Sequence, residues 1–377
     1  MGLSVVLVVH DLSNGCMARA RALAEVLDLL GHQTRTVSAW GEEVWPPARG
    51  TPFAASAARL SRRGVADAVG GADLVIAVKV LPQSLGLALQ AAVRSGVPII
   101  ADVDDPDVEA RTQWAPARSL LSQAVHHPKH YAQLRALRWA ARRLTTTVSN
   151  PVLQSIYGGE LVPHAVPDRG AGQQHTSDRP LLSFIGTVGP HKGVGLLRAA
   201  TARLHEEGWR LLVTAEPPPD ARPWETWTGP RVPDSRALLQ RSDVVVIASG
   251  APDQAAGEGL QADYARAQLP LKLIEAMLAA RAVVVSDYGP LPWAARAAPV
   301  VPVADVDALV AALRPLADPE LRNRLGGKLR EEAIARYTPA AVAPGLERAI
   351  ARALVSSPWP RWHARTRPTS DGAAVHP

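Results

Sequence analysis

The sequence is poor in cysteine and contains no long hydrophobic run. Cys16 is the single cysteine among 377 residues, so the chain cannot form an intrachain disulfide or a metal site with several cysteine ligands. No stretch of about 18 apolar residues occurs, so no membrane-spanning helix is predicted. A strand begins at Leu3 with no basic region and long apolar stretch before it. This pattern predicts no signal peptide and a cytoplasmic protein.

The composition is that of a globular protein with a basic charge balance. Hydrophobic residues make up 47% of the chain and charged residues 20%, which excludes a disordered chain. There are 41 Lys and Arg residues against 35 Asp and Glu residues, a formal net charge of +6. A basic balance suits phosphate groups, nucleic acid or anionic lipid, and alone it does not choose among them. No basic stripe interleaved with aromatic residues stands out, so nucleic acid is not an expected partner.

Short apolar strands alternate with helical patterns along the chain. Apolar residues recur at helical spacing over residues 18–30, and Gly31 follows as a typical C-cap. Near-continuous apolar strands that alternate with helices indicate parallel sheets covered on both faces. The predicted strands are Val5–Val9, Leu74–Val78, Val97–Ala101 and Thr145–Val148 in the first half, and Leu181–Gly186, Arg210–Thr214, Val244–Ala248, Ala282–Ser286 and Val300–Val303 in the second.

A polar stretch rich in glycine and proline, Ala165–Pro180, separates the two sets of strands. The pattern therefore predicts an α/β fold with two doubly wound, Rossmann-like domains that face each other across a crevice. The predicted organisation is a domain at 1–165, a linker at 166–180, a second domain at 181–337, a helix at 338–355 and a disordered tail at 356–377.

The segment Phe184–Leu197, FIGTVGPHKGVGLL, joins an apolar strand to a helix through a glycine-rich turn. Glycines such as Gly186 let the backbone approach a ligand, and the free amides at a helix start attract an anion. Lys192 adds a positive charge beside them, which favours a pyrophosphate group. The alternative is an ordinary strand–helix turn with a surface lysine, and this segment alone does not separate the two interpretations.

A second segment, Pro270–Asp287, reads PLKLIEAMLAARAVVVSD and contains a helix followed by an apolar strand. Pro270 suits the first turn of the helix. Lys272 and Glu275 are three residues apart and share a face near the helix start. A carboxylate there can accept two hydrogen bonds from a cis-diol such as ribose. The alternative is a glutamate that only complements the helix dipole.

Taken together and in this order, the two segments resemble the retaining glycosyltransferases of family 4, which have the GT-B fold. Two further stretches, Ser149–Val166 and Gly229–Ala248, also resemble that family, and the resemblance covers most of residues 1–350. It implies that the first domain binds the acceptor and the second binds a nucleotide sugar. The implied donor substrate is a nucleotide diphosphate sugar, and the implied acceptor is a glycan, a lipid-linked molecule or a small molecule. No cofactor or metal is implied.

The resemblance also implies roles for single residues. Lys192 would contact the donor diphosphate, and Glu275 would hold the ribose hydroxyls. Gly15 follows the first strand, where the family's first glycine-rich loop meets phosphate or acceptor, and Arg19 would add positive charge there. The candidate donor-binding residues are Gly15, Arg19, Gly186, Thr187, Lys192, Lys272, Leu273 and Glu275.

Two positions depart from the family pattern. Thr187 stands where the family often has a basic residue directly after the strand glycine. Ala267 stands where the family often has another glutamate, which removes an expected contact to the donor sugar. Glu258 and Asp263 are nearby carboxylates that would substitute for it.

Acidic residues cluster near the end of the third predicted strand of the first half, in the sequence DVDD at 102–105. Carboxylates at that edge could act as a base, bind acceptor hydroxyls or bind a metal, and they could also only cap a helix or form a turn. A metal is the least favoured of these. His10 and Asp11 follow the first strand, where they could reach the same crevice, and a structural role explains them equally well. The candidate catalytic residues are Lys192, Glu275, Asp102, Asp105 and His10.

A basic helix is predicted at His130–Leu144, with apolar residues along one stripe and arginines along another. Such a helix either packs on the domain with a solvated basic face or contacts a membrane surface. The first interpretation is favoured, and peripheral contact with the inner face of the membrane stays an alternative.

The sequence thus predicts a retaining, hexosyltransferase-type enzyme that moves a sugar from a nucleotide diphosphate donor to an acceptor hydroxyl. A nucleotide-sugar epimerase of the same architecture and a degenerate, non-catalytic binding protein are the alternatives. A nicotinamide oxidoreductase is disfavoured, because the turn SNGCMAR after the first strand lacks the G-x-G-x-x-G pattern.

Overall fold

The computed structural model describes residues 2–114, 117–189, 191–229, 235–250 and 264–356. The predicted tail beyond residue 356 lies outside this range. Within it the chain forms two parallel β-sheets with helices packed on both faces. The predicted α/β class with two Rossmann-like domains is therefore confirmed.

The first sheet has seven strands in the order β3-β2-β1-β4-β5-β6-β7, and every pairing is parallel. The four strands predicted for this half are its centre. Three strands were missed. β2 has the mixed sequence QTRTVS with a half-exposed pattern, and the edge strands β3 and β7 are only three and two residues long. The strands are β1 (Ser4–Val8), β2 (Gln33–Ser38), β3 (Ala57–Arg59), β4 (Leu74–Val78), β5 (Ile99–Val103), β6 (Thr145–Val148) and β7 (Glu160–Leu161).

Helices connect these strands, and most of them bury an apolar face against the sheet, whereas α6 has no buried residue. Short 3₁₀ or π turns at 46–48, 82–86 and 110–114 supplement them. The helices of this half are α1 (Cys16–Leu29), α2 (Pro52–Ala55), α3 (Arg62–Gly70), α4 (Leu87–Ser95), α5 (Asp107–Glu109), α6 (Ala117–His126), α7 (Pro128–Ala141) and α8 (Pro151–Tyr157).

The second sheet has six parallel strands in the order β10-β9-β8-β11-β12-β13. All five strands predicted for this half are present, and the short edge strand β10 was missed. The strands are β8 (Leu181–Phe184), β9 (Arg210–Val213), β10 (Glu225–Trp227), β11 (Val244–Ile247), β12 (Ala282–Ser286) and β13 (Val300–Val301). The helices are α9 (Val194–Leu204), α10 (Ser235–Arg241), α11 (Leu271–Leu278), α12 (Leu291–Ala294), α13 (Val306–Leu313), α14 (Pro319–Tyr337) and α15 (Pro339–Val355).

The segment predicted as a linker is extended but anchored to the second domain. His175 is buried, and its Nδ1 lies 3.0 Å from Oδ1 of Asp243. Its backbone amide donates to Asn323, and the amide of Val166 donates to the carbonyl of Tyr337. These bonds fix the path by which the chain passes from one sheet to the other.

The final helix α15 returns from the second domain to the first. It packs on α1, and its buried residues Val342, Leu346 and Ile350 share one core with Val5 and Leu7 of β1. The first domain therefore depends on a helix that follows the second domain in sequence. No helix in the described part of the chain is both long and apolar enough to cross a membrane.

Leu346→Ala should lower the free energy of unfolding of the protein by about 2–5 kcal/mol, because the leucine side chain is fully buried between α15 and the first domain. Val355→Ala is the matched control, since Val355 is 89% exposed on the same helix and its loss should change stability by less than about 0.5 kcal/mol. Chemical denaturation of the full chain measures both values. Equal effects of the two substitutions would contradict the role assigned to α15.

Candidate active site

The order of strands reverses at one point in each sheet. In the first sheet the reversal lies between β1 and β4, and in the second it lies between β8 and β11. Ligands of open parallel sheets bind at the carboxyl ends of the strands beside such a reversal. The segments that leave these four strands carry His10, Lys79, Gly186 with Lys192, and Ser249.

The carboxyl edges of the two sheets meet across the crevice. Three hydrogen bonds join the segment before α11 to the first domain. The hydroxyl of Tyr264 donates to Oδ1 of Asp107 at 3.0 Å, and Nε2 of Gln268 donates to Oδ1 of Asp105 at 3.2 Å. Nδ2 of Asn150 donates to the carbonyl of Ala267 at 2.8 Å.

A buried ion cluster lies on the first-domain side of the crevice. Nζ of Lys79 lies 3.2 Å from Asp104, 2.6 Å from Asp105 and 3.0 Å from Asp107. Burial lowers the pKa of this lysine, but the three carboxylates outweigh burial and raise it well above its usual value. Burial also raises the pKa of Asp107. Lys79 has a φ of 73°, a strained value for a residue with a side chain, so the cluster holds its backbone in place.

The oxygens of Asp104, Asp105 and Asp107 lie within 4.8 Å of one another, as the ligands of a metal ion would. The Lys79 ammonium already contacts all three carboxylates. A protein cation therefore supplies the positive charge that these carboxylates need, which fits a structural cluster better than a metal site.

The strand end at Gly186 is open on the second-domain side. Gly186 has a φ of 143°, and a Cβ built there would meet no atom within 4 Å. Its amide donates to Oγ1 of Thr214, and that hydroxyl donates back to its carbonyl. Thr187 beside it is exposed. This open backbone gives a ligand room to approach the strand end.

Lys192 stands in the turn that leads into α9. A hydrogen bond of 2.9 Å from the amide of Lys192 to the carbonyl of Gly189 closes the turn, and one of 2.8 Å from the amide of Gly250 to the carbonyl of His191 joins it to the segment after β11. Gly193 has a φ of 67°, and a Cβ there would lie 2.7 Å from Ala248. Burial lowers the pKa of Lys192, and the charge of Asp105 on the opposite domain partly opposes that shift. The lysine is thus a half-buried cation at the crevice, with an acidic group of the other domain in range.

Helix α11 presents Lys272 and Glu275 at its first turns. Nζ of Lys272 lies 2.5 Å from Oε2 of Glu275 and donates to Oγ of Ser235 at 2.8 Å. Both charged side chains are about a quarter exposed. Leu273, by contrast, is fully buried in the core of the second domain, so its side chain cannot contact a ligand.

His10 and Gly15 lie after β1, on the first-domain side. Burial, followed by the charge of Lys79, lowers the pKa of His10 to about 4, so its ring is neutral at pH 7. Its Nε2 lies 2.8 Å from Nδ2 of Asn14, and its buried Nδ1 has no hydrogen-bond partner in the described part of the chain. Gly15 caps α1, and a Cβ there would meet no atom within 4 Å.

Arg19 and Asp102 require a correction. Asp102 was expected after its strand, but β5 extends to Val103, which places Asp102 inside the sheet with no exposed surface. Arg19 is also buried and binds both carboxylate oxygens, at 2.9 and 2.7 Å. Its remaining donors reach the carbonyls of Val162 and Pro163. The pair is therefore better explained as a structural element than as a contact to ligand or acceptor.

The structure adds residues to the site that the sequence interpretation missed. Lys79 could have been identified from the sequence, because it is one of five lysines in the chain and directly follows the central strand β4. Asp107 stands just past the acidic cluster that was recognised. Tyr264 and Gln268 carried no signal, because only the packing of the two domains brings them to the aspartates.

The substitutes proposed for the missing glutamate, Glu258 and Asp263, lie outside the described residues. Ala267 itself is fully buried in a core that otherwise belongs to the first domain. A glutamate at this position would place a charge at the interface of the two domains.

Comparison with known proteins gives this geometry a context. Residues 179–318 match the family model described as "Glycosyl transferases group 1". This range contains the second sheet with the segments of Lys192 and Glu275. No curated protein matches the chain at a significant level.

Solved structures match nearly the whole chain. HepE of Anabaena, in complex with UDP and glucose, superposes with a TM-score of 0.69 at 12% identity over 93% of this chain and 99% of that chain. The fold is that of the GT-B glycosyltransferases. Sucrose-phosphate synthase of Thermosynechococcus elongatus gives 0.65 at 16% identity over 93% and 99% of the two chains. A glycosyltransferase of Rickettsia africae gives 0.63 at 12% identity over 94% and 99%.

Arg19→Met should lower the free energy of unfolding by about 3–5 kcal/mol, because it leaves the carboxylate of Asp102 buried without its partner. Arg21→Met is the control on the same helix. Arg21 pairs with Glu25 at a partly exposed position, and this pair contributes about 0–1 kcal/mol. Urea denaturation measures both variants. Stability of Arg19→Met equal to the control would show that the buried pair does not hold β5 and α1 together.

Proposed function

We propose that this protein is a retaining glycosyltransferase that moves a sugar from a nucleotide diphosphate donor to an acceptor hydroxyl. One observation carries the proposal: a half-buried lysine beside an open strand end faces an acidic cluster across the crevice. The match of residues 179–318 to the glycosyltransferase model supports it, as do UDP-glucose, UDP and glucose in structures of similar fold.

Lys192 is assigned to the donor diphosphate. When the bond between sugar and diphosphate breaks, negative charge develops on the leaving phosphate, and a positioned cation stabilises it. The half-buried ammonium is effective there because solvent screens it less than it screens a surface lysine. Gly186 and Thr187 line the approach, where the backbone leaves space for phosphate oxygens.

Glu275 is assigned to the ribose of the donor. Lys272 contacts Oε2, and among the residues that the structure describes Oε1 has no partner, so this oxygen can accept from the diol. Lys272 then orients the carboxylate and contributes positive charge near the helix start. Together with Lys192 this arrangement binds the nucleotide at two points, which fixes the position of the sugar between the domains.

The acceptor is assigned to the first domain, near His10 and Asp105. Asp105 lies at the crevice, about a fifth exposed, and is shared by Lys79 and Gln268. The neutral His10 ring has an unpartnered Nδ1. These groups can hold or position an acceptor hydroxyl. The proposal includes no metal and no cofactor, because lysine side chains supply the positive charge that the leaving group needs.

Lys192→Ala should weaken binding of both pyrophosphate and the nucleoside diphosphate by about tenfold to a hundredfold, the range for a hydrogen bond to a charged group. Glu275→Gln should weaken binding of the nucleoside diphosphate and leave the affinity for pyrophosphate unchanged, because Glu275 is assigned to the ribose alone. Calorimetric titration measures these affinities after a thermal-shift screen of UDP, GDP, ADP and TDP selects the nucleotide.

Lys328→Ala is the control for this pair, because Lys328 is exposed on α14 of the same domain. The Lys328→Ala variant should bind pyrophosphate and the nucleoside diphosphate with the affinities of the unchanged protein. If Lys192→Ala also binds both ligands normally, the assignment of the diphosphate site is wrong. Intact binding without turnover on any acceptor would instead favour the non-catalytic binding protein.

The product should have the same anomeric configuration as the donor. Proton NMR of the glycoside product reads the coupling constant of its anomeric proton, which is compared with that of the donor sugar. An inverted product would refute the retaining mechanism while leaving glycosyl transfer intact. Conversion of the donor sugar without any acceptor would support an epimerase instead.

A further inference from the structure

Positive charge is concentrated in one stretch of the first domain. Between residues 110 and 159 the chain has seven Lys and Arg residues and no Asp or Glu. The charge of this stretch is therefore larger than the net charge of +6 of the entire chain. Its described residues form α6, α7, β6 and α8. A charge imbalance of this size attracts an anionic partner.

The arginines of this stretch line a surface cleft with a volume of about 840 Å³. One of them, Arg138, pairs with Glu109 at 2.6 Å. The other three have no carboxylate partner within the described ranges of the chain. The lining residues are Thr112, Gln113, Arg135, Arg138, Trp139, Arg142 and Arg143.

Large apolar side chains are exposed in this cleft and on the preceding helix α6. Leu121 is 66% exposed, Val125 63% and Trp139 60%. Leu121 and Val125 are four residues apart, so they share one face of α6, a helix without a buried residue. Helix α6 leads into α7 with only His127 between them, so this face and the arginines belong to two consecutive helices that contact each other. Exposed apolar groups bordered by cations mark an interaction site.

The apolar stripe predicted on the basic helix does not take part in this surface. Leu134, Leu137 and Ala141 of α7 are buried in the core of the first domain. The structure thus confirms that α7 packs on its domain. The exposed apolar side chains of this region are instead those of α6 and of Trp139, which the sequence pattern did not identify.

We propose that this surface, formed by Leu121, Val125, Trp139, Arg135, Arg142 and Arg143 and called the basic face below, binds the headgroups of an anionic lipid bilayer. Arginines near such a bilayer are attracted to its negative surface potential, and tryptophan favours the interfacial layer. Leu121 and Val125 gain by leaving water when they enter that layer. With no spanning helix in the described chain, the contact is peripheral.

A nucleic acid would also be attracted to these arginines, but it fits this surface less well than a bilayer does. It offers phosphates to the arginines but no apolar layer for Leu121 and Val125. The Arg143 guanidinium lies 3.8 Å from the centre of the Trp139 ring and covers one of its faces, so a base could stack only on the other. The exposed aliphatic pair on α6 is therefore the observation that favours lipid.

Vesicle co-sedimentation of the full chain tests the basic face. The protein should bind phosphatidylcholine vesicles that contain phosphatidylglycerol, bind pure phosphatidylcholine weakly, and lose binding as salt is raised. Arg142→Ala with Arg143→Ala should lower the partition coefficient by about fivefold for each arginine removed. Leu121→Ser with Val125→Ser should lower it as well, at unchanged charge.

Two control variants carry matched changes elsewhere on the same domain. Arg63→Ala with Arg94→Ala removes two exposed arginines of α3 and α4, and Leu29→Ser with Val93→Ser replaces two exposed apolar residues. Both should bind vesicles like the unchanged protein. The proposal fails if anionic vesicles do not bind, or if the control variants lose as much binding as the variants of the basic face. A different set of results would assign the face to nucleic acid. In that case removal of the arginines lowers vesicle binding, the variant with Leu121→Ser and Val125→Ser binds vesicles normally, and a random oligonucleotide competes fully with the vesicles.

The vesicle assay contains no donor and no acceptor. Its outcome is therefore independent of the glycosyltransferase proposal, and either can fail without the other. The variants also avoid Lys192, Glu275, Asp105 and His10, so donor binding by each variant reports that its crevice is intact.

Discussion

The buried ion pair of Arg19 and Asp102 is the interaction on which the first domain depends. The arginine comes from α1 and the aspartate from the central strand β5, and the same guanidinium reaches two carbonyls of the chain after β7. Thr147 of β6 donates to the same carboxylate. One pair thus joins a helix, two strands and the exit of the domain. Because an unpaired charge in the core is costly, the pair fixes α1 relative to β5 and to the exit of the domain.

The crevice combines groups of opposite sign on its two walls. The first domain contributes three aspartates around Lys79, and the second contributes Lys192 and Lys272. Three of the chain's five lysines thus lie at this crevice. The histidines near the strand ends carry no charge at pH 7, because burial lowers the pKa values of His10, His164 and His191 to about 4. The electrostatics of the site therefore come from lysines and carboxylates, and they change little across the neutral range.

Much of the architecture was accessible from the sequence, because parallel strands buried on both faces are nearly continuous apolar runs. The nine predicted strands are all present. β2 was missed because a half-exposed strand mixes polar and apolar residues, and the edge strands β3, β7 and β10 were missed because they are short. The sequence identified the acidic cluster at 102–105, but its aspartates have different environments in the structure. A strand that ends two residues later than expected buries Asp102 and leaves Asp105 at the edge. No local pattern reveals the contacts of Tyr264 and Gln268, which arise only when two domains meet.

The chain passes between the two domains twice, once through the extended segment after β7 and once between α14 and α15. The first domain is thus built from two separate parts of the chain. It cannot be obtained by ending the chain before the second domain, because its helix α15 follows the second domain in sequence.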